Sequence, residues 1–86
     1  MSASTALSHE ALAEVITRCA GAHTDAAALR DTRPTFDDLD VDSLGLLGIV
    51  AELEKTLGIQ LGPDAERCTS PGDLLALANA QLRAAA

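Results

Sequence analysis

Aromatic side chains are nearly missing from this chain: it has no Trp and no Tyr, and Phe36 is its only ring. A core must then be assembled from Leu, Ile, Val and Ala. Because Leu and Ala are good helix formers and β-branched residues are few, that palette belongs to a small helical bundle. Basic residues are also scarce. Six Lys and Arg stand against thirteen carboxylates, a formal net charge of -7, which repels phosphate backbones and anionic lipid headgroups. Neither nucleic acid nor a membrane surface is an expected partner, whereas proteins with basic patches are attracted and steered. No apolar run approaches the length of a membrane span, and the first residues lack the basic flank and apolar core of a signal peptide, so the cytoplasm is the expected location. Cysteine and histidine are sparse too: Cys19, Cys68, His9 and His23 offer no ligand spacing such as CxxC, so no metal site is expected. The cysteines read as free thiols, Cys19 as a small core residue. With 86 residues the chain makes one domain, 1–86, with flexible ends expected at about 1–5 and 84–86, and its modest core leaves little room for a deep catalytic cleft.

What is present is helical periodicity. From about Leu7 to Ala20, Leu12, Val15, Ile16 and Cys19 recur at helical spacing, with Glu10 and Glu14 toward the N-terminal end, Arg18 toward the other and Gly21 as a stop. Residues 22–41 are irregular. Pro34 interrupts any continuous helix there, and a connection this long predicts a turn or a short helix around Ala26 to Arg30, with Phe36 and Leu39 pinning the segment to the core. A second long helix spans about Ser43 to Leu57. Its stripe Leu46, Ile49, Val50, Leu53 and Leu57 should face the core, while Leu44, Leu47 and Ala51 form a second stripe beside Glu52, Glu54 and Lys55. Such a helix is either packed on both sides or held open for a partner. Gly58 closes it, and Pro63 begins a short helical segment through Cys68. Ser70-Pro71-Gly72-Asp73 is a strong start signal for a last helix carrying Leu74, Leu75, Leu77, Ala78 and Leu82.

The chemistry concentrates at Asp37-Asp38-Leu39-Asp40-Val41-Asp42-Ser43-Leu44, four acids before a serine at a helix start. The plain reading is a solvated acidic loop with Ser43 as the helix cap. A calcium loop fails: Asp38, Asp40 and Asp42 match alternating ligands, but Ser43 stands where glycine is needed and Ile49 where the bidentate Glu is needed. Serine hydrolysis fails as well, because Ser43 is not in GxSxG and neither histidine carries a triad signal. No catalytic residue is expected.

The run Thr35 to Leu44 resembles the prosthetic-group attachment region of an acyl carrier protein, the stretch Leu46 to Gly58 resembles its second helix, and Thr69-Ser70-Pro71 resembles the start of its last. The likeness covers almost the whole chain and is greatest to the free-standing carriers of bacterial type II (aromatic) polyketide synthases. It implies an all-α, four-helix carrier fold with a long first loop and a short third helix. It also implies that Ser43 bears 4'-phosphopantetheine, transferred from coenzyme A by a phosphopantetheinyl transferase, whose thiol holds malonyl units and growing polyketide chains as thioesters. The further partners it implies are a malonyl transferase, a ketosynthase and chain-length factor, with ketoreductase and cyclases as additional candidates, each met by a monomeric carrier. Asp42, Leu44, Leu47 and Glu52 would meet partners, and Leu46, Ile49, Val50, Leu53 and Leu74 would form the core or line the acyl chain. The runners-up are a fatty-acid carrier, a carrier of amino or hydroxy acids and, in a different class, a noncovalent helical interaction module. One departure stands out: many carriers have an acid at the position of Gly48, and Gly45 adds a second poor helix former. Each costs roughly 1 kcal/mol relative to Ala in a helix interior, and is explained either by close approach of a partner or the arm, or by tolerant packing.

Overall fold

Each of the four α-helices starts where a side chain accepts a backbone amide that the helix leaves unpaired, and two of them end on a glycine. In the computed structural model, which describes residues 6–85, helix α1 spans His9–Ala20 and opens on Ser8, whose Oγ accepts the Ala11 amide proton at 3.1 Å. It closes on Gly21 at φ 71°, a left-handed conformation that glycine adopts without a Cβ penalty. The helix thus begins two residues later than the expected Leu7. Leu7 instead precedes the cap, buried in the same cluster as Leu12 one turn into the helix, the pattern of a hydrophobic staple.

The irregular connection that follows is ordered. It carries α2, Ala26–Asp31, capped by Asp25, and one residue longer than expected from the sequence. Helix α3 spans Ser43–Leu57 and ends on Gly58 at φ 69°. A 3-10 helix, Pro63–Arg67, stops one residue short of the expected Cys68, and α4 spans Pro71–Ala85. At the start of α4 Ser70 Oγ accepts the Asp73 amide at 3.1 Å, while an Asp73 carboxylate oxygen accepts the Thr69 hydroxyl at 3.2 Å, a reciprocal capping arrangement. The three long helices and the short 3-10 helix form the expected all-α four-helix bundle, with α2 set into its long first loop and no strand among the described residues. The ends expected to be flexible lie partly outside the described residues, at 1–5 and 86, whereas Ala84 and Ala85 belong to α4.

The core is aliphatic apart from Phe36. Leu12 and Ile16 of α1, Ile49 and Leu53 of α3 and Leu74 of α4 are its fully buried large side chains, and each contributes roughly 1.5–3 kcal/mol relative to exposure. The segment that precedes Ser43 is tied to this core from both sides. Phe36 is buried, its N–H donates to the Thr69 carbonyl at 2.9 Å, and its carbonyl accepts the Val41 amide at 2.9 Å. Asp38 and Thr35 lock the same turn through a pair of 3.0 Å bonds, each side chain accepting the other's amide. Far from this turn, the Asn79 side chain accepts the Leu7 amide at 2.6 Å and donates to the Leu7 carbonyl at 3.2 Å, which fastens the start of the described chain to α4.

Candidate functional site

The first turn of α3 divides two tasks between neighbouring residues. Asp42, extended at φ -85° and ψ -178°, is the cap: its Oδ1 accepts the Gly45 amide at 2.8 Å. Ser43 is therefore the first helical residue and not the cap that the plain sequence reading made it. An aspartate outcompetes the following serine for this position because its carboxylate is charged and lies against the positive end of the helix dipole. Ser43 is exposed, and its hydroxyl takes no part in any hydrogen bond of the structure. The amides of Ser43 and Leu44 have no acceptor within the helix.

Beside Ser43 lies an open groove of ≈ 490 Å³, bordered by Phe36, Val41, Ser43, Leu46, Cys68 and Thr69 among others. Its floor is apolar and its rim carries two threonine hydroxyls, those of Thr35 and Thr69, with the carboxylates of Asp37 and Asp42. Of the residues expected to form the core or line an acyl chain, Leu46 alone reaches this groove. Ile49, Val50, Leu53 and Leu74 are buried in the bundle core. Sequence reading missed Cys68, Thr35 and Thr69 as neighbours of Ser43. Only the turn chemistry of Thr35-Phe36-Asp37-Asp38 hinted that this segment would fold back, and nothing near Cys68 signalled that the chain after the 3-10 helix would meet it. Burial and the nearby carboxylates of Asp73 and Asp64 push the Cys68 thiol above its ordinary pKa, so it is a poor nucleophile in this position.

The two apolar stripes of α3 separate cleanly. Leu46, Ile49, Val50 and Leu53 enter the core, whereas Leu44 (75% exposed) and Leu47 (46%) are the exposed large hydrophobic residues of the described chain. Glu52, expected to meet partners, is engaged within the protein. Its Oε2 lies 3.0 Å from the Arg18 guanidinium of α1 and accepts the Thr56 hydroxyl at 3.1 Å. Glu54 accepts the Leu61 amide at 2.8 Å.

An exposed hydroxyl at a helix N-terminus, next to free amides and an apolar groove with a polar rim, suits a phosphodiester and a flexible arm better than hydrolytic chemistry. The free amides and the dipole attract the phosphate; Asp37 and Asp42 repel it. Residues 10–78 match the model of the phosphopantetheine attachment site family. Over 75 residues the chain is 51% identical to a probable acyl carrier protein of Streptomyces coelicolor, covering 86% of this chain and 83% of that protein. It is 37% identical over 83 residues to the oxytetracycline polyketide synthase acyl carrier protein of Streptomyces rimosus, covering 94% of this chain and 87% of the relative. The solution structure of the 3,5-dioxohexyl carrier from the actinorhodin polyketide synthase of Streptomyces coelicolor superimposes with a TM-score of 0.80 at 33% identity, covering 98% of this chain and all of the other. These matches define a phosphopantetheine-bearing domain.

The chain belongs to the acyl carrier protein family, among the carriers of type II polyketide synthases. It is a non-catalytic carrier of acyl intermediates, held on covalently attached 4'-phosphopantetheine.

Proposed function

We propose that Ser43 is the residue that bears the 4'-phosphopantetheine arm, and that the cargo is malonyl units and the poly-β-keto chains grown from them. The observation that supports this most is the position of Ser43: exposed, free of hydrogen bonds, held at the first turn of α3 by the Asp42 cap, and bordering an apolar groove. Loading forms a bond from the Ser43 oxygen to the phosphorus that carries pantetheine. The pyrophosphate bridge of coenzyme A breaks, the adenosine bisphosphate half leaves, and the hydroxyl proton passes to a base on the phosphopantetheinyl transferase. The chain's own contribution is to hold the hydroxyl outward and the preceding loop rigid. Polyketide cargo is supported by the relatives, which serve the oxytetracycline and actinorhodin synthases and include a carrier bearing a group described as a triketide mimic.

On this reading a malonyl transferase loads the thiol and a ketosynthase with its chain-length factor extends the chain. A ketoreductase and cyclases act afterwards, all on a monomeric carrier in the cytoplasm. None of the described helices is long and apolar enough to cross a membrane. The test is intact mass: apo protein incubated with coenzyme A and a broad-specificity phosphopantetheinyl transferase should gain one phosphopantetheine, and Ser43→Ala should gain none. Mass addition that persists in Ser43→Ala would place the arm elsewhere.

A further inference from the structure

The groove beside Ser43 has a neighbour of opposite charge. Asp37 and Asp42 border the Ser43 groove, and among the described residues no Lys or Arg does. Asp37 and the nearby Asp40 are exposed, and neither side chain takes part in a hydrogen bond or ion pair with the described residues. The two grooves meet where the Phe36 amide donates to the Thr69 carbonyl: Thr35 and Thr69 border the first, and the adjoining residues Pro34 and Ser70 border the second. The second groove, of ≈ 420 Å³, carries Arg30, Arg33 and His9 with Gly72 and a single carboxylate, Asp73. In a chain of formal net charge -7, two of the six Lys and Arg thus border one groove.

The charges of this groove are not mutually satisfied. Asp73 is occupied in capping α4, where it accepts the Thr69 hydroxyl at 3.2 Å. Arg30 has only a loose, exposed ion pair, its Nε 3.9 Å from Asp31. The Arg33 guanidinium and the His9 ring take part in no hydrogen bond or ion pair with the described residues. Arg33 also holds φ 48°, a left-handed conformation that is uncommon outside Gly, Asn and Asp, and strain of this kind clusters at functional sites. The Gly72 amide, in the first turn of α4, has no acceptor within its helix. Arg33 precedes Thr35 by two residues, so their Cα atoms lie within about 7 Å. A phosphopantetheine arm, about 14 atoms from phosphorus to sulfur, extends about 16 Å. An arm lying along the Ser43 groove therefore delivers its thioester to the cationic one.

We infer that Arg33 and Arg30, with the Gly72 amide, form a subsite for the free carboxylate of malonyl cargo. The inference rests on Ser43 as acceptor and malonyl as cargo. A guanidinium presents forked donors that match a carboxylate, while the acidic rim of the Ser43 groove repels the same group. Exposed ion pairs are weak one at a time, but a tether supplies an effective concentration in the mM range. The subsite is thus filled by loaded malonyl and passed over by dilute free carboxylates. An acetyl group and a poly-β-keto chain end without a charge, so the groove separates the extender unit from the grown chain.

The test loads isotope-labelled apo chain from malonyl-coenzyme A or acetyl-coenzyme A with a broad-specificity transferase, confirms loading by intact mass, and compares backbone amide and arginine Nε resonances. The two forms should differ most, beyond the arm itself and Ser43, at Arg30, Arg33 and Gly72. That difference should fall at least about threefold in Arg30→Gln with Arg33→Asn, and most of the loss should appear in Arg33→Asn alone, where Asn tolerates the left-handed backbone. A second measurement needs no arm. Monomethyl malonate, with one carboxylate, titrated into the apo chain at constant ionic strength should shift the same resonances with a midpoint in the mM range, and neutral dimethyl malonate should not. Malonyl and acetyl forms that match at these residues, differences that persist in the double variant, or equal shifts with the two esters would each overturn the inference. Failure of the acceptor assignment is read separately, by mass addition persisting in Ser43→Ala, and the titration of the apo chain does not depend on loading.

Discussion

The two glycines of α3 should respond oppositely to the same added methyl group. A Cβ at Gly48 would point toward α1 and meet nothing nearer than the Cys19 carbonyl oxygen at 4.0 Å, an ordinary contact. Gly48→Ala therefore gains the helix-propensity difference, about 0.8–1 kcal/mol, with no steric cost. In a domain of this size that is a rise in melting temperature of roughly 4–8 °C. A Cβ at Gly45 would lie 3.2 Å from Val41 Cγ1, 3.3 Å from Asp42 Oδ1 and 3.4 Å from Ala20 Cβ. Val41 is buried and Asp42 Oδ1 is the cap acceptor, so neither can give way freely. Displacing the cap carboxylate forfeits about 1 kcal/mol, which equals or exceeds the propensity gained. Gly45→Ala should leave the protein no more stable than wild type and up to about 1 kcal/mol less stable. Circular dichroism melts of both variants at the same protein concentration and pH measure the difference. Equal stabilisation by the two substitutions, or a lower melting temperature for Gly48→Ala, would refute the reasoning. The sparse surroundings of the Gly48 Cβ also bear on why glycine is tolerated there: the one neighbour it would meet is the Cys19 carbonyl of α1.

Ile49→Ala should cost about 2–5 kcal/mol, because the residue is wholly buried between helices and its removal leaves a cavity in the core. For a domain of this size that is a large part of the total stability, and a urea melt should show the midpoint falling sharply with the slope unchanged. Cys68 should alkylate with iodoacetamide more slowly than a free cysteine at about pH 8, since burial and the carboxylates of Asp73 and Asp64 favour its protonated form. Its rate should rise as pH passes the elevated pKa; a rate matching free cysteine at about pH 8 would contradict the assigned environment.

Most of the fold was legible because periodicity and caps agree. Gly21, Gly58 and the Ser70-Pro71 start mark ends that the structure keeps, and Leu46, Ile49, Val50 and Leu53 enter the core as their spacing requires. The less legible features depend on contacts between distant residues. Glu52 reads as an exposed acid on a helix margin, and only the packing of α1 against α3 brings Arg18 within 3.0 Å of it. Likewise, no local signal places Thr69 against Phe36, yet that single backbone bond at 2.9 Å brings the end of the 3-10 segment alongside Ser43 and makes one wall of its groove. The start of α1 was misplaced for a local reason: Leu7 fits the apolar periodicity, but Ser8 offers a better cap, and capping overrides periodicity at a helix end.

The pairing of Asp42 with Ser43 carries a physical logic that neither residue has alone. A serine used as a helix cap spends its hydroxyl as an acceptor and turns it toward the backbone, where an approaching phosphorus meets the amides before the oxygen. Moving the cap one residue back, to a carboxylate that bonds the Gly45 amide at 2.8 Å, stabilises the same helix start and releases the serine oxygen to solvent. The cost is an added negative charge beside the hydroxyl proposed to receive an anionic donor. That charge is partly absorbed by the amide it caps and by the helix dipole, so the repulsion felt by an incoming anion comes more from the uncommitted Asp37 and Asp40 than from Asp42. Those two carboxylates can be offset only by cations brought from outside the loop, since the chain places no Lys or Arg between Arg33 and Lys55. With Ser43 as the proposed acceptor, an acidic loop beside an outward hydroxyl favours the approach of a basic partner over an acidic one.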